Sequence, residues 1–393
     1  MTLRTLDDLG DVAEARVFVR ADFNVPLADG EVTDDARIRA TVPTIRELLE
    51  RDARVVLASH LGRPKGQPRD DLRLSPVGRV LAGLLDRPVV MLAETTPEAL
   101  PEDPIVLLEN LRFDPGEEGN DQAFAGRLAD LADAYVDDAF GAAHREHASV
   151  AALPALMLAS GRPAAAGRLM QREVEVLGRL LHGPVRPYVA ILGGAKVSDK
   201  LPVIGSLIDR VDALLIGGAM AFTLIAAKGG EVGTSLVERD RFDEVLAAIR
   251  RAGDRSVLVE VPHDVVAAPE MSVQAERRTV PAAEIPRGFM GLDIGPRTVE
   301  EYARIVADAK TILWNGPMGV FELEPFSAGT RGVATAVAHA GAFSVVGGGD
   351  SLLAVKQAGL ADAFDHLSTG GGASLEFLEG RALPGITILE EAA

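Results

Sequence analysis

Lys196 and Lys200 stand four residues apart in the segment Gly193-Gly194-Ala195-Lys196-Val197-Ser198-Asp199-Lys200. Only six of the 40 basic residues are lysine, so two in one loop stand out even in an arginine-rich composition. Glycine lets the backbone come close to a ligand and turn its N–H groups outward. Ammonium groups beside such a turn suit phosphate. Four more glycine-rich segments follow in the second half: Gly217-Gly218-Ala219-Met220, Asn315-Gly316-Pro317-Met318-Gly319, Gly347-Gly348-Gly349-Asp350-Ser351 and Ser368-Thr369-Gly370-Gly371-Gly372. The last two run straight into helical patterns, the arrangement that aims N–H groups at an anion. A single Gly-Gly pair is more often packing than phosphate binding, but five such segments in one half are hard to dismiss. Asp350 suits Mg²⁺, which takes one or two carboxylates and completes its shell with water and phosphate oxygens. It suits a helix N-cap equally, and the two roles are compatible.

The first half carries different chemistry. Asp22 and Asn24 lie two apart after Arg16–Arg20, and Arg37 and Arg39 open a helical pattern behind Thr33-Asp34-Asp35. His60, Gly62 and Arg63 follow Arg54–Ala58, Arg112 follows Ile105–Glu109, and His144, Arg145 and His147 follow Tyr135-Val136. Taken singly, these are Asx turns and surface charges. Converging at one sheet edge, they make a pocket of guanidinium and imidazole donors that matches a small phosphorylated carboxylate.

The elements that must position these groups are short apolar runs that do not alternate with polar residues, as in strands buried on both faces. Between them lie helical patterns such as Ala36–Asp52, with Ile38, Val42, Ile45, Leu48 and Leu49 on one face. Strand alternating with helix predicts parallel sheets, and two groups of runs predict two of them. Gly161–Gly183 lies between, with a helical pattern expected to connect two α/β domains. Ligands then belong at the carboxyl ends of the strands.

Length and composition agree. The chain has 393 residues, 47% hydrophobic and 25% charged, which suits two globular domains. The formal net charge is −18, opposite to that of a nucleic-acid or anionic-membrane binder. Neither half is basic: 21 basic and 31 acidic residues precede the break after Leu180, and 19 and 27 follow it. With no cysteine, disulfides and thiolate chemistry are excluded. The N-terminus lacks a secretory pattern and the longest apolar stretch, Ala213–Ala227, is too short to span a bilayer, so a cytoplasmic location is expected. GxxxxGK[ST] is absent, as is a dinucleotide fingerprint in its proper setting. An Arg/His pocket in one half and a Gly/Lys/Asp site in the other lead to a kinase for a small acidic metabolite.

Nine segments in order make the resemblance specific: RADFNVP, SHLGRPKG, ENLRF, DDAFGAAHREHAS, GGAKVSDK, GLDIGP, WNGPMGVFE, GGGDS and STGGGASLEFLEG. From Arg20 to the end, the chain resembles phosphoglycerate kinase. The resemblance implies two doubly wound, Rossmann-like parallel-sheet domains joined by a hinge helix. It assigns residues 1–165 to a 3-phosphoglycerate domain, 166–183 to the hinge helix, 184–370 to a nucleotide domain, and 371–393 to a tail returning to the first. The reaction implied is reversible phosphoryl transfer between ATP and the carboxylate of 3-phosphoglycerate, with Mg²⁺ on the nucleotide. The partners implied are those small molecules alone, for a cytoplasmic monomer that binds neither nucleic acid nor membrane. Asp22, Phe23 and Asn24 would hold the hydroxyl and carboxyl region. His60, Leu61, Gly62, Arg63, Arg112 and Arg145 would grip the phosphate. Arg37 and Lys196 would reach the transferring phosphoryl group, and Lys200 the nucleotide phosphates. Gly193, Gly217, Gly218, Gly291 and Leu292 resemble the adenine slot, Glu322 the ribose contact, and Asn315 a neighbour of the phosphates. Asp350 would meet Mg²⁺, with Gly348, Gly349 and Ser351 along the phosphate chain. Glu146 departs from the pattern by placing negative charge beside the phosphate grip, unless it points to solvent. An ionised carboxylate nucleophile needs no general base, so positioning and charge neutralisation are the task. A closing binding protein without chemistry and a nicotinamide dehydrogenase are the other readings. The first would not need Lys196, Lys200 and Asp350 together, and the second is weakened by the missing fingerprint.

Overall fold

The computed structural model describes residues 2–93 and 95–391; Met1, Ala392 and Ala393, the ends of the outermost expected domains, lie outside it. The chain divides into two units, Met1–Glu175 with Ala382–Ala393, and Val176–Arg381. The helix Arg168–Leu181 contains the boundary.

The first unit is built on six parallel strands: β1 (Arg16–Ala21), β2 (Arg54–Ala58), β3 (Val90–Leu92), β4 (Ile105–Leu108), β5 (Ala134–Asp138) and β6 (Ala164–Ala166). Their order across the sheet is β3-β4-β2-β1-β5-β6. Both faces are covered, which is why the runs read as continuously apolar. Val17, Val19 and Ala21 belong to the core cluster that also holds Ile38, Val42, Ile45 and Leu48 of the helix Ala36–Glu50. Full burial of each such side chain contributes roughly 1.5–3 kcal/mol. Phe18 points to the other face, where its ring stacks on Tyr135 at 6.0 Å. Arg20 shares that face by the two-residue strand period and is fully buried. The expected run Ala134–Val136 extends through Asp137 and Asp138, both buried. The alanines of GRPAAAG form β6, paired with β5.

The second unit has its own parallel sheet: β7 (Tyr188–Leu192), β8 (Ala213–Ile216), β9 (Leu258–Glu260), β10 (Thr311–Asn315), β11 (Phe343–Gly347) and β12 (His366–Leu367), ordered β9-β8-β7-β10-β11-β12. The chain direction across the sheet reverses between β7 and β10. In open α/β sheets that switch point is where ligands bind. Ile191, Trp314 and Val346 lie in one core cluster with Tyr302 and Val333 of the helices Pro296–Ala307 and Ala328–His339. The sequence reading omitted a separate antiparallel sheet of Asp264–Ala268, Arg278–Pro281 and Met290–Ile294. Arg278–Pro281 is polar and Met290–Ile294 is interrupted by Gly291 and Asp293, while Asp264–Ala268 is a short apolar run; Val265 pairs with both Ile294 and Val280.

Candidate functional site

In the first unit, β4, β2, β1 and β5 are consecutive in the sheet, so their carboxyl ends lie side by side. Asp22 and Asn24 leave β1. Asp22 is 4% exposed, and its carboxylate accepts from Arg37 Nη1 at 3.0 and 3.2 Å. The same nitrogen donates to the Asn24 carbonyl at 3.3 Å, so the first turn of the helix Ala36–Glu50 is tied to the β1 turn. Asn24 Oδ1 accepts from Gly62 N–H at 2.9 Å, and Phe23 N–H donates to the Ser59 hydroxyl at 2.8 Å, joining the β1 and β2 turns. Asn110 joins the β2 and β4 turns: its side chain accepts from Leu61 N–H at 3.2 Å and donates to Leu61 O at 2.7 Å. Arg112 Nη1 donates to Gly62 O at 2.8 Å. Asp22, Phe23, Asn24, Arg37, Leu61, Gly62 and Arg112 are thus parts of one bonded cluster.

The cluster is electropositive inside an acidic protein. His60 is almost fully buried, and burial together with Arg20, Arg112 and Arg37 pushes its imidazole well below the ordinary range. His147 is pushed down to about 4 by burial and by Arg112, Arg20 and Arg145. Burial lowers Arg112 as well, with Glu118 at 3.3 Å opposing the shift. Arg145 acts on both Arg112 and His147. Arg63 is exposed on the His60 loop and, among the described residues, makes no ion pair. Glu146 is exposed and pairs with no cation there. His147 is one of the strand-end donors expected from the sequence, without a separate role there. Glu117 and Ser149 were passed over, although Glu117 is completely buried and accepts from Ser149 N–H and Oγ at 2.9 and 2.6 Å.

In the second unit, a pocket of about 370 Å³ opens among the turns after β7, β8, β10 and β11 and the antiparallel sheet. Gly218, Gly291, Leu292, Glu322 and Asp350 line it. Gly193 and Gly217 stand behind its lining, and with Gly218 they are glycines because loops touch. A Cβ on Gly193 would strike the Pro317 carbonyl, and one on Gly217 the Met318 sulfur. Gly218 has φ +63°, and a Cβ there would lie 2.5 Å from Gly194 N. A Cβ on Gly291 would strike the Phe222 ring at its Cζ. Gly348 differs: with φ +90° it caps the helix Gly349–Gln357, and Gly349 has open space around it. That helix N-terminus offers N–H groups to an anion.

Lys200 Nζ donates to Asn315 Oδ1, which brings the β7 and β10 turns together at the switch point. Burial lowers the Lys200 ammonium, while Asp199 and Asp350 pull it back up. Ser351 is buried, and its hydroxyl accepts from Gly316 N–H at 2.6 Å. Lys196 is exposed on its loop. Glu238 clamps that loop, accepting from Ser198 N–H at 3.0 Å and Ser198 Oγ at 2.6 Å. Asp293 also lines the pocket. It is buried and pushed up to about 7 by that burial, though Gly329 N–H donates to it at 2.7 Å. Nothing local in the sequence marks Glu238 as a partner of Ser198. Asp293 could be found only through its motif, GLDIGP.

Among the described residues, no helix is long and apolar enough to cross a membrane. The family model for phosphoglycerate kinase matches residues 6–381. The chain is 54% identical to the phosphoglycerate kinase of Thermomicrobium roseum, over 100% of both sequences. It is 56% identical to that of Rubrobacter xylanophilus, over 100% of this chain and 99% of the relative. Among solved structures, phosphoglycerate kinase from Coxiella burnetii superposes with a TM-score of 0.90 at 41% identity, covering 99% of each chain. The enzyme from Pyrococcus horikoshii OT3 gives 0.85 at 34% identity, covering 98% of each.

Proposed function

The chain belongs to the phosphoglycerate kinase family, and from that premise we propose how its residues divide the work of the reaction. The enzyme transfers a phosphoryl group between ATP and the carboxylate of 3-phosphoglycerate, giving 1,3-bisphosphoglycerate and ADP in glycolysis. In this proposal, residues 1–165 bind 3-phosphoglycerate, residues 184–370 bind the nucleotide, the segment 166–183 is the hinge helix, and 371–393 is the returning tail.

One observation supports the phosphoglycerate assignment above the rest. Arg20 and Arg112 act on both the His60 and the His147 rings, joined by Arg37 at the first and Arg145 at the second, and they add to the lowering that burial alone imposes. Guanidinium groups gathered at one sheet edge make a positive field that favours an anion. His60, Arg63, Arg112 and Arg145, with Leu61 and Gly62, take the phosphate. Asp22, Phe23 and Asn24 take the hydroxyl and carboxyl end, and the Asp22–Arg37 pair fixes the direction of both side chains. In the second unit, Gly193, Gly217, Gly218, Gly291 and Leu292 form the adenine slot. Glu322 takes the ribose, and Lys200, Asn315, Gly348, Gly349 and Ser351 take the phosphates. Arg37 and Lys196 are the cations assigned to the phosphoryl group in transit, where fixed charge aimed at the transition state lowers the barrier most.

The residues present fit Mg²⁺. Asp350 is an exposed carboxylate on the pocket wall at a helix N-terminus, near Lys200. One carboxylate is enough for a cation that keeps its water and phosphate oxygens. Bound with ATP, Mg²⁺ would neutralise phosphate charge. We also propose a cytoplasmic monomer, to be checked by sedimentation. The activity is tested by mixing the protein with Mg-ATP and 3-phosphoglycerate, measuring ADP and trapping the acyl phosphate with hydroxylamine. Acid-dependent ADP and a trapped product are expected. Binding of the acid with no ADP formed would mean a binding protein instead.

A further inference from the structure

Arg20 is the penultimate residue of β1 and opens the motif RADFNVP. Its side chain is 0% exposed, and a guanidinium in that position must have each donor placed. Nε donates to Ser149 Oγ at 2.8 Å, Nη1 to the Ala21 carbonyl, and Nη2 meets His60 Nδ1 at 3.1 Å. The Ser149 hydroxyl, having accepted from Arg20, donates to Glu117 Oε1 at 2.6 Å. Glu117 is the counter-charge: it is fully buried, 4.0 Å from Arg20 Nη2 and 3.8 Å from His147 Nδ1. Both distances are too long for a hydrogen bond, so Ser149 carries the link.

The direction of every bond in this chain is fixed by chemistry. A guanidinium has only donors and does not deprotonate in proteins. The Nδ1 of His60 must therefore be the acceptor, with its lone pair turned toward Arg20. A neutral imidazole with an unprotonated Nδ1 carries its proton on Nε2. Arg20, Arg112, Arg37 and His147 all face this ring, and each disfavours a second proton on it. None of the described residues pairs with Nε2, so this N–H is left for a ligand.

We propose that Arg20 is a positioning residue, held by Ser149 and Glu117, that locks His60 in the Nε2–H tautomer and so presents one N–H donor to the substrate's phosphate. This rests on His60 meeting that phosphate. Without Arg20, the ring has two neutral tautomers and two flipped orientations. Only some of these aim a donor at the anion.

The test is long-range proton–nitrogen NMR on the full-length, ¹⁵N-labelled chain without substrate. The His60 signals are identified by their loss in His60→Ala. The expected spectrum of the wild type shows a protonated Nε2 and an unprotonated Nδ1 near neutral pH. A protonated Nδ1, or a charged ring, overturns the proposal, and neither Arg20 nor Glu117 has to be replaced for that result. The double substitution Arg20→Met with Glu117→Gln removes both buried charges, so neither is left alone. In it, the His60 tautomers should mix, and calorimetry should find 3-phosphoglycerate binding weaker by about tenfold to a hundredfold, with Mg-ATP binding unchanged. A folded double variant with the wild-type tautomer and wild-type affinity also overturns the proposal. His60→Ala separates the two ideas. If it binds 3-phosphoglycerate as the wild type does, the phosphate contact itself is wrong, whatever the tautomer.

Discussion

Replacing Arg37 by alanine separates a catalytic role from a supporting one. Arg37 Nη1 spans both oxygens of Asp22 at 3.0 and 3.2 Å and the Asn24 carbonyl at 3.3 Å. The Arg37 side chain is 33% exposed and that of Asp22 is 5% exposed. For a pair so open on one side, solvent screening limits its worth to about 1 kcal/mol of stability. Losing it would cost about tenfold at most in anything that depends only on placing Asp22. Losing a charged donor aimed at transition-state charge costs about 10²–10³ in kcat. Arg37→Ala should therefore melt within a few degrees of the wild type. Its kcat should fall by about 10²–10³, and the KM for 3-phosphoglycerate should rise by no more than about tenfold. Arg37→Lys should recover part of the loss, because it keeps the charge but not the planar fork. The assay is steady-state ADP formation at saturating Mg-ATP and varied 3-phosphoglycerate, beside a thermal melt. A kcat within about threefold of the wild type, with the change confined to KM, would refute the transition-state role.

Three further outcomes are expected. Asp350→Asn should weaken Mg-ATP binding and leave 3-phosphoglycerate binding intact by calorimetry; unchanged Mg-ATP affinity and activity would reduce Asp350 to a helix cap. Gly193→Ala drives a Cβ into the Pro317 carbonyl and should destabilise the fold by about 1–3 kcal/mol. Gly349→Ala meets nothing within 4 Å, so it should melt normally while raising the KM for ATP; equal melting points for the two variants would contradict the packing account. Asp138 is buried, accepts from Leu169 and Met170 N–H at 2.9 and 3.2 Å, and is pushed up to about 7 by burial. A carboxyl raised in the folded state contributes stability that is fully present below about pH 4 and lost as pH rises through about 7. Asp138→Asn keeps an oxygen for those two N–H groups and has no charge to bury. Its melting point should gain on the wild type between about pH 4 and about pH 7, and a constant gap over that range would show that the Asp138 carboxyl is not raised by the fold.

The sequence by itself determined the strands and the residues at their ends. Runs such as Arg16–Arg20 and Tyr188–Leu192 are apolar on both faces because both faces are covered. The polar residues that break them, Asp22, His60, Arg112 and Lys200, therefore mark the carboxyl edge. Local composition is enough for that much. It was not enough for the antiparallel sheet of Asp264–Ala268, Arg278–Pro281 and Met290–Ile294, whose segments become strands only when paired with each other. Nor could it separate glycines by purpose. Gly193 and Gly217 are needed where backbone meets backbone and a methionine side chain, whereas Gly349 faces open space, and all three read alike in the sequence. The tertiary structure alone decided which charges face each other. Glu117 with Ser149, Glu238 with Ser198 and Arg20 with His60 lie 32, 40 and 40 residues apart. A charge in the sequence has no partner until the fold removes water from around it and leaves one group within reach. Burial then sets the protonation, the donor direction and the field that a ligand meets.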